Sequence, residues 1–138
     1  MFNGIIFNTG KLHTIKKLNK SILIGINSNL KFKKKDIGSS ISCDGICLTL
    51  TKIQGKIIFF YISNETIKRS NFKLLKIGKI INIEKSLIYG QKISGHFTQG
   101  HVDCTAKVIK IDFIDNSWSI ILQIKEEKFA KFLLEKAS

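Results

Sequence analysis

The chain has 138 residues, 43% of them hydrophobic, which suits one globular domain, or a small domain with an appended piece, and excludes a disordered chain. Its formal charge of +13 rests on 23 basic residues, of which Arg69 is the single arginine; Ile, Asn and Phe are abundant and Pro is absent, the mark of AT-rich codons, so the charge needs no nucleic-acid partner, whose base and phosphate contacts favour Arg. No window has the uncharged apolar run of a membrane span, and Met1-Phe2-Asn3-Gly4 lacks the basic start and apolar core of a signal peptide, so a cytoplasmic chain with free thiols at Cys43, Cys47 and Cys104 is expected.

In chain order, Ile5 to Leu12 reads as a strand with Asn8-Thr9-Gly10 as a bulge or turn. Ser21 to Ile26 is a second strand, after which Asn27 and Ser28 cap a short helical turn through Phe32. Ile41 to Ile53 alternates in its second half, with Leu48 and Leu50 on one face and Thr49 and Thr51 on the other. Gln54-Gly55-Lys56 turns the chain into Ile57 to Ile62. Asn64 caps a helix beginning at Glu65-Thr66, and Lys76-Ile77-Gly78-Lys79 leads into the strand Ile80 to Glu84. About six strands result, enough to close a small barrel and leave no exposed edge. Val102 to Phe113 and Ser117 to Ile124 form a further hairpin with Asp115-Asn116 at its turn, followed by a helical pattern from Glu126 to Lys136 with Phe129, Phe132 and Leu133 on one face.

The chain also repeats itself. Gly4-Ile5-Ile6 leads after a short gap to Lys11-Leu12, and Gly100-His101-Val102 leads after the same gap to Lys107-Val108. Ser21-Ile22-Leu23-Ile24 matches Ser119-Ile120-Ile121-Leu122, and Asp36-Ile37-Gly38-Ser39 matches Glu135-Lys136-Ala137-Ser138. The first copy continues into Ser42-Cys43-Asp44-Gly45-Ile46-Cys47-Leu48-Thr49-Leu50-Thr51, and the second has no counterpart. A duplicated domain is expected, with a full barrel over residues 1–96 and a partial one over 97–138. Two strands and a helix bury little area, so that hairpin must pack on the barrel, find a partner chain, or fray.

Three segments carry candidate chemistry. Cys47 and Thr49 share one face of a strand that follows the Asp44-Gly45 turn, either lining a small polar pocket or serving a structural strand. Ser63-Asn64-Glu65-Thr66 reads as a helix cap with an acidic first turn, compatible with a ligand ring set beside its N–H groups. Gly95-His96-Phe97-Thr98-Gln99-Gly100-His101-Val102-Asp103 joins the two copies. His96 and His101 are spaced too poorly to chelate one metal from a regular element, the set Cys43, Cys47, His101 and Cys104 does not follow a zinc-ligand spacing, and a Cys–His nucleophile pair lacks a third group.

Together these pieces resemble a family. Met1-Phe2-Asn3-Gly4-Ile5-Ile6, Asp44-Gly45-Ile46-Cys47-Leu48-Thr49, Asn64-Glu65-Thr66-Ile67-Lys68-Arg69-Ser70-Asn71, Gly78-Lys79-Ile80-Ile81-Asn82-Ile83-Glu84 and the His96/His101 segment resemble, in order, blocks of the riboflavin synthase α chains. The resemblance implies an all-β fold: a six-stranded Greek-key-type barrel plus an incomplete second barrel ending in a short helix. It implies dismutation of two 6,7-dimethyl-8-ribityllumazine molecules to riboflavin and a ribitylaminouracil, without metal or redox cofactor. A lumazine- or flavin-binding module without turnover, or a decayed fragment of the enzyme, is the alternative, because the second barrel's own counterparts of Asp44–Thr51 and Ser63–Thr66 are missing. The family is a trimer held by a helix absent here, so a homo-oligomer is expected without that trimer's means of assembly. By position, substrate contacts fall on Gly4, Ile5, Ile6, Cys47, Leu48, Thr49, Tyr61, Ile62, Ser63, Asn64, Glu65, Thr66, Gly100, His101, Val102 and Lys136. His96 and His101 are implied as proton carriers, and Cys47 as nucleophile or polar contact.

Overall fold

The computed structural model describes residues 1–136. Ala137 and Ser138, the last two positions of the repeat match, lie outside the described residues. The chain forms two compact units, Met1–Val102 and one beginning at Asp103.

The first unit is a closed antiparallel barrel. Its strands are β1 (Asn8–Leu18), β2 (Ser21–Ser28), β3 (Ser40–Cys43), β4 (Ile46–Gln54), β5 (Ile57–Ser63) and β6 (Ile80–Lys85), in the order β1-β2-β5-β4-β3-β6. Closure leaves no strand edge to solvent and lets every second side chain point inward. On β4 this buries Ile46, Leu48 and Leu50 and leaves Thr49 and Thr51 exposed. Leu12, Ile24, Ile26, Ile58, Phe60, Ile62, Ile81 and Ile83 join them in the core, with Phe72 packed among them. Between β5 and β6 lie a short helix, α1 (Asn64–Arg69), and the 3-10 turn Asn71–Leu74.

Several local expectations are corrected. Asn8-Thr9-Gly10 is regular strand, and the register shift falls between Leu12 and Thr14. Gly10 serves close packing instead: a Cβ there would lie 2.5 Å from Ile26 Cγ2 and 3.0 Å from the Asn27 carbonyl. Ser28 ends β2 and its hydroxyl accepts the Leu30 N–H at 3.1 Å, making a turn in place of a helix through Phe32. The only helical turn in that stretch is the 3-10 segment Lys34–Asp36, where the Asp36 carboxylate accepts the Lys33 N–H at 2.8 Å. The run from Ile41 to Ile53 is two strands, split at Asp44-Gly45, whose φ values of 50° and 84° turn the chain.

The ends of the first unit meet. Phe2, almost fully buried, pairs antiparallel with Thr98 through two backbone hydrogen bonds of 2.8 and 2.9 Å. Within residues 97–102, grouped with the second repeat by sequence pattern, Thr98 thus pairs with Phe2, and the Gly100 carbonyl accepts the Cys47 N–H of β4, so this stretch belongs to the first compact unit.

The second unit holds the hairpin of β7 (Ala106–Ile114) and β8 (Ser117–Ile124), turning at Asp115 (φ 48°) and Asn116 (φ 62°). Its register shift between Val108 and Lys110 lies 96 residues beyond that of β1, and Ser117–Ile124 lies 96 residues beyond Ser21–Ser28. The counterpart of Ser21 is thus Ser117, two residues from the Ser119 that sequence matching selects; an even shift keeps every side chain on its face, so alternation does not separate the two. The expected helix from Glu126 to Lys136 shrinks to the 3-10 segment Glu127–Phe132, without a side-chain cap and with Phe132 and Leu133 both 66% exposed. A short uncapped segment with no surface on which to bury its apolar face does not extend.

Candidate functional site

The site is built where three segments meet on the outer wall of the barrel. The first is the start of β4. Its approach turn is pinned by Asp44, whose Oδ1 accepts the Asn82 N–H at 2.8 Å and whose Oδ2 accepts from Lys79 Nζ at 3.0 Å, while its own N–H donates to the Asn82 carbonyl at 2.9 Å. That fixes Cys47 on the outward face, half-buried, beside the inward Ile46.

The second segment is α1. Its cap is Ser63, extended at ψ 157°, in place of the expected Asn64. The Ser63 hydroxyl accepts the Thr66 N–H at 3.1 Å and lies 3.0 Å from Thr66 Oγ1, and Ser70 Oγ donates to the Thr66 carbonyl at 2.6 Å. Capping thereby orients the Thr66 hydroxyl. One turn on, Arg69 Nε donates to Glu65 Oε1 at 2.6 Å.

The third is Gly100-His101-Val102. The Gly100 carbonyl accepts the Cys47 N–H at 2.8 Å. Gly100 has φ +75°, and a Cβ there would stand 3.0 Å from Cys47 N and 3.1 Å from the Gly45 carbonyl, so only glycine fits without displacement.

Ile46, Cys47, Glu65, Thr66, Arg69, Gly100, His101 and Val102 line a cleft of about 170 Å³. It collects a thiol, a hydroxyl, an imidazole, a carboxylate and a guanidinium. Clefts of about 430 Å³, beside Phe32, Ile53 and Lys56, and of about 310 Å³, beside Ile5, Glu84 and Lys92, are larger but contain neither a thiol nor an imidazole. Among the described residues no group of three or more His, Cys, Asp or Glu is placed to hold a metal, and no helix is long and apolar enough to cross a membrane.

Six of the residues expected from sequence therefore come together: Cys47, Glu65, Thr66, Gly100, His101 and Val102. Others do not. Leu48 and Ile62 face the barrel interior, 4% and 0% exposed. Thr49 lies farther along the outer face of β4, Tyr61 is exposed on β5, Ser63 is occupied with capping, and Asn64 is exposed. Gly4 and Ile6 are exposed outside the cleft, and Ile5 lines the 310 Å³ cleft. His96 is exposed outside it, and Lys136 belongs to the second unit. The Cys47 N–H is spent on the Gly100 carbonyl, which leaves the thiol as that residue's free polar group toward the cleft. Arg69, not among the expected site residues, also lines the cleft; its i, i+4 spacing from Glu65 is the signal in the sequence.

Cys43 and Cys47 differ in kind. Cys43 is fully buried, and burial, reinforced by the neighbouring Asp44 and Cys47, pushes its thiol far above the usual range, so it stays protonated.

The family model for the lumazine binding domain matches residues 3–86. Over 137 residues the chain is 31% identical to the riboflavin synthase of Buchnera aphidicola subsp. Schizaphis graminum, covering 99% of this chain and 66% of that protein. Over 116 residues it is 39% identical to the riboflavin synthase of Chlamydia trachomatis serovar D, covering 81% of this chain and 56% of that protein. The chain thus spans between 56% and 66% of the length of these relatives. Among solved structures, LumP complexed with flavin mononucleotide is similar at a TM-score of 0.68 and 26% identity, over 87% of this chain and 67% of that one. LumP complexed with 6,7-dimethyl-8-(1'-D-ribityl) lumazine shares the fold at a TM-score of 0.74 and 23% identity, over 92% of this chain and 71% of that one.

Proposed function

Since the chain belongs to the lumazine-binding domain family, we propose that its barrel holds 6,7-dimethyl-8-ribityllumazine at the Cys47–Thr66–His101 cleft and serves riboflavin synthase chemistry. The observation that supports this is the meeting of three sequence-distant segments in one cleft. A flat heteroaromatic ring is matched by an apolar floor with a few polar groups fixed around it. In the reaction, two ribityllumazines exchange a four-carbon unit to give riboflavin and 5-amino-6-ribitylaminouracil, with no external oxidant or reductant. One ring must lose a proton from its 7-methyl group. His101, exposed at the cleft, is the residue suited to move it, while His96 stands outside the cleft. Cys47 Sγ serves as a polar contact or nucleophile beside the ring. Two substrates must be held together, so turnover calls for a second ring site, from another copy of the chain in a homo-oligomer or from elsewhere in the protein.

A second reading, binding without turnover, is favoured by one observation: the described residues complete a single closed barrel.

The test is a fluorescence titration of the purified chain with 6,7-dimethyl-8-ribityllumazine, followed in the same cuvette for riboflavin. Saturable binding with riboflavin produced is the expected result for the enzyme. Saturation without product selects the binding module. No binding removes the cleft assignment.

A further inference from the structure

We propose that the cleft at the far end of β4 binds a small organic anion, one negative head group on an apolar body. This site is independent of whatever the Cys47 cleft holds. Cys47 stands near the start of β4 and Ile53 near its end, roughly 20 Å apart along an extended strand. The cleft, of about 430 Å³, lies between the residues that follow β2 and the Gly55-Lys56 turn joining β4 to β5. Its size falls in the range of pockets that enclose small ligands.

The loop that walls the cleft is pinned open. Ser28 N–H donates to the Lys56 carbonyl at 3.0 Å, and the Ser28 hydroxyl accepts the Leu30 N–H at 3.1 Å. Lys85 Nζ donates to the Lys31 carbonyl at 2.7 Å, and the Asp36 carboxylate accepts the Lys33 N–H at 2.8 Å. A ligand therefore meets a wall already ordered, and little conformational freedom is lost on binding.

The floor suits the apolar body. Leu30, Phe32 and Ile53 are half-buried, packed on the core from below, and Ile58 beneath them is 2% exposed. Covering the part of this floor still open to water is favourable. The rim suits the anion. It carries Lys31, Lys33 and Lys56, and the lining contains no Asp or Glu, whereas the other two clefts contain Glu65 and Glu84. Lys56 Nζ donates to Asn29 Oδ1 at 3.2 Å, which holds an ammonium at the mouth without neutralising it. Asp36, the carboxylate nearby, is already matched by Lys85 at 3.6 Å. Ammonium groups act as point charges, so the rim reads the charge of the head group and admits a carboxylate or a phosphate alike.

The experiment titrates the full chain with 2-naphthoate and with 2-naphthyl phosphate, followed by amide proton–nitrogen NMR. Neutral 2-naphthalenemethanol supplies the body without charge, and inorganic phosphate supplies charge without the body. The expected result is saturable shifts confined to the neighbourhood of Asn29, Phe32, Ile53 and Gly55, with both partial probes at least about tenfold weaker. The tighter of the two naphthyl anions identifies the preferred head group. Lys31→Gln and Lys56→Gln should each weaken binding roughly threefold, and Lys68→Gln, outside the lining, should leave it unchanged. No saturable shift, shifts centred elsewhere, a neutral probe that binds as well as the anions, or equal weakening by Lys68→Gln overturns the site. None of these outcomes bears on ribityllumazine binding at Cys47, which the fluorescence titration tests separately.

Discussion

The hairpins β1–β2 and β7–β8 are one pattern in two settings. They share strand positions, a register shift at the same place and a two-residue turn, 96 residues apart. Leu12, Ile24 and Ile26 are 1%, 0% and 0% exposed in the first; their counterparts Val108, Ile120 and Leu122 are 50%, 54% and 57% exposed in the second. The side chains are alike in kind, so burial is set by the company they keep. Strands β3 to β6 cover the first hairpin, and no comparable set follows the second among the described residues. Apolar alternation specifies which face a residue takes; whether that face is buried depends on strands far away in sequence.

The sharpest way to break the comparison is to truncate matched residues. Ile24→Ala should cost about 2–5 kcal/mol in urea unfolding, the range for emptying a packed site. Ile120→Ala should cost within about 0.5 kcal/mol, as at an exposed position. Equal losses would mean that the second hairpin is covered in solution.

Gly100 and Gly4 are a second matched pair, at φ +75° and +78°. Only Gly100 has backbone against it; a Cβ on Gly4 meets nothing within 4 Å. Gly4→Ala should cost about 1 kcal/mol for its left-handed backbone. Gly100→Ala should cost more by thermal melting, and should also loosen ligand binding, since it pushes on Cys47. Similar melting temperatures for the two variants would deny the close contact.

Within the barrel, Cys43 and Cys47 sharpen the contrast between inside and outside. A chromogenic disulfide reagent should modify Cys47 in the folded chain and reach Cys43 only on unfolding. Ribityllumazine should slow the Cys47 reaction if the ring lies where proposed. Early labelling of Cys43 would contradict its burial.

The smallest effect belongs to Asp36, whose carboxyl is held below its ordinary 3.8 chiefly by the Lys33 N–H, which outweighs the opposing effect of burial, with smaller help from Lys85 and Lys35. A lowered folded pKa stabilises above the unfolded value, and that stabilisation drains as pH falls through the lower folded value. Melting temperature of the wild-type chain should therefore drop slightly faster with acid below about pH 4 than that of Asp36→Asn. Parallel acid curves would remove Asp36 from the balance.

Sequence made the barrel legible because six alternating runs with glycine-marked turns leave few other folds, and the resemblance of several blocks set their order. Details decided by single contacts were less legible. Ser63 and Asn64 are both good caps, and only the chain's direction out of β5 chooses Ser63. Gly10 looks like a turn because glycine usually marks one, yet it answers to Ile26 on the neighbouring strand β2. Leu48 and Ile62 sit inside motifs that resemble substrate contacts, but period-two geometry turns them inward. For Arg69 the i, i+4 spacing says only that it can pair with Glu65, and nothing in one helical turn says that the pair faces a cleft.

The pairing of Phe2 with Thr98 has a consequence for how the protein is made. Two residues 96 apart close the barrel unit, and Gly100 then supplies the third wall of the cleft. Synthesis proceeds from the N-terminus, so all six barrel strands leave the ribosome before that closing segment does. During that interval the nascent barrel has its core but no complete cleft, and a ligand has nothing whole to bind. A ligand that binds a cleft completed last stabilises only the folded barrel and gives no help to the strands that must first find one another.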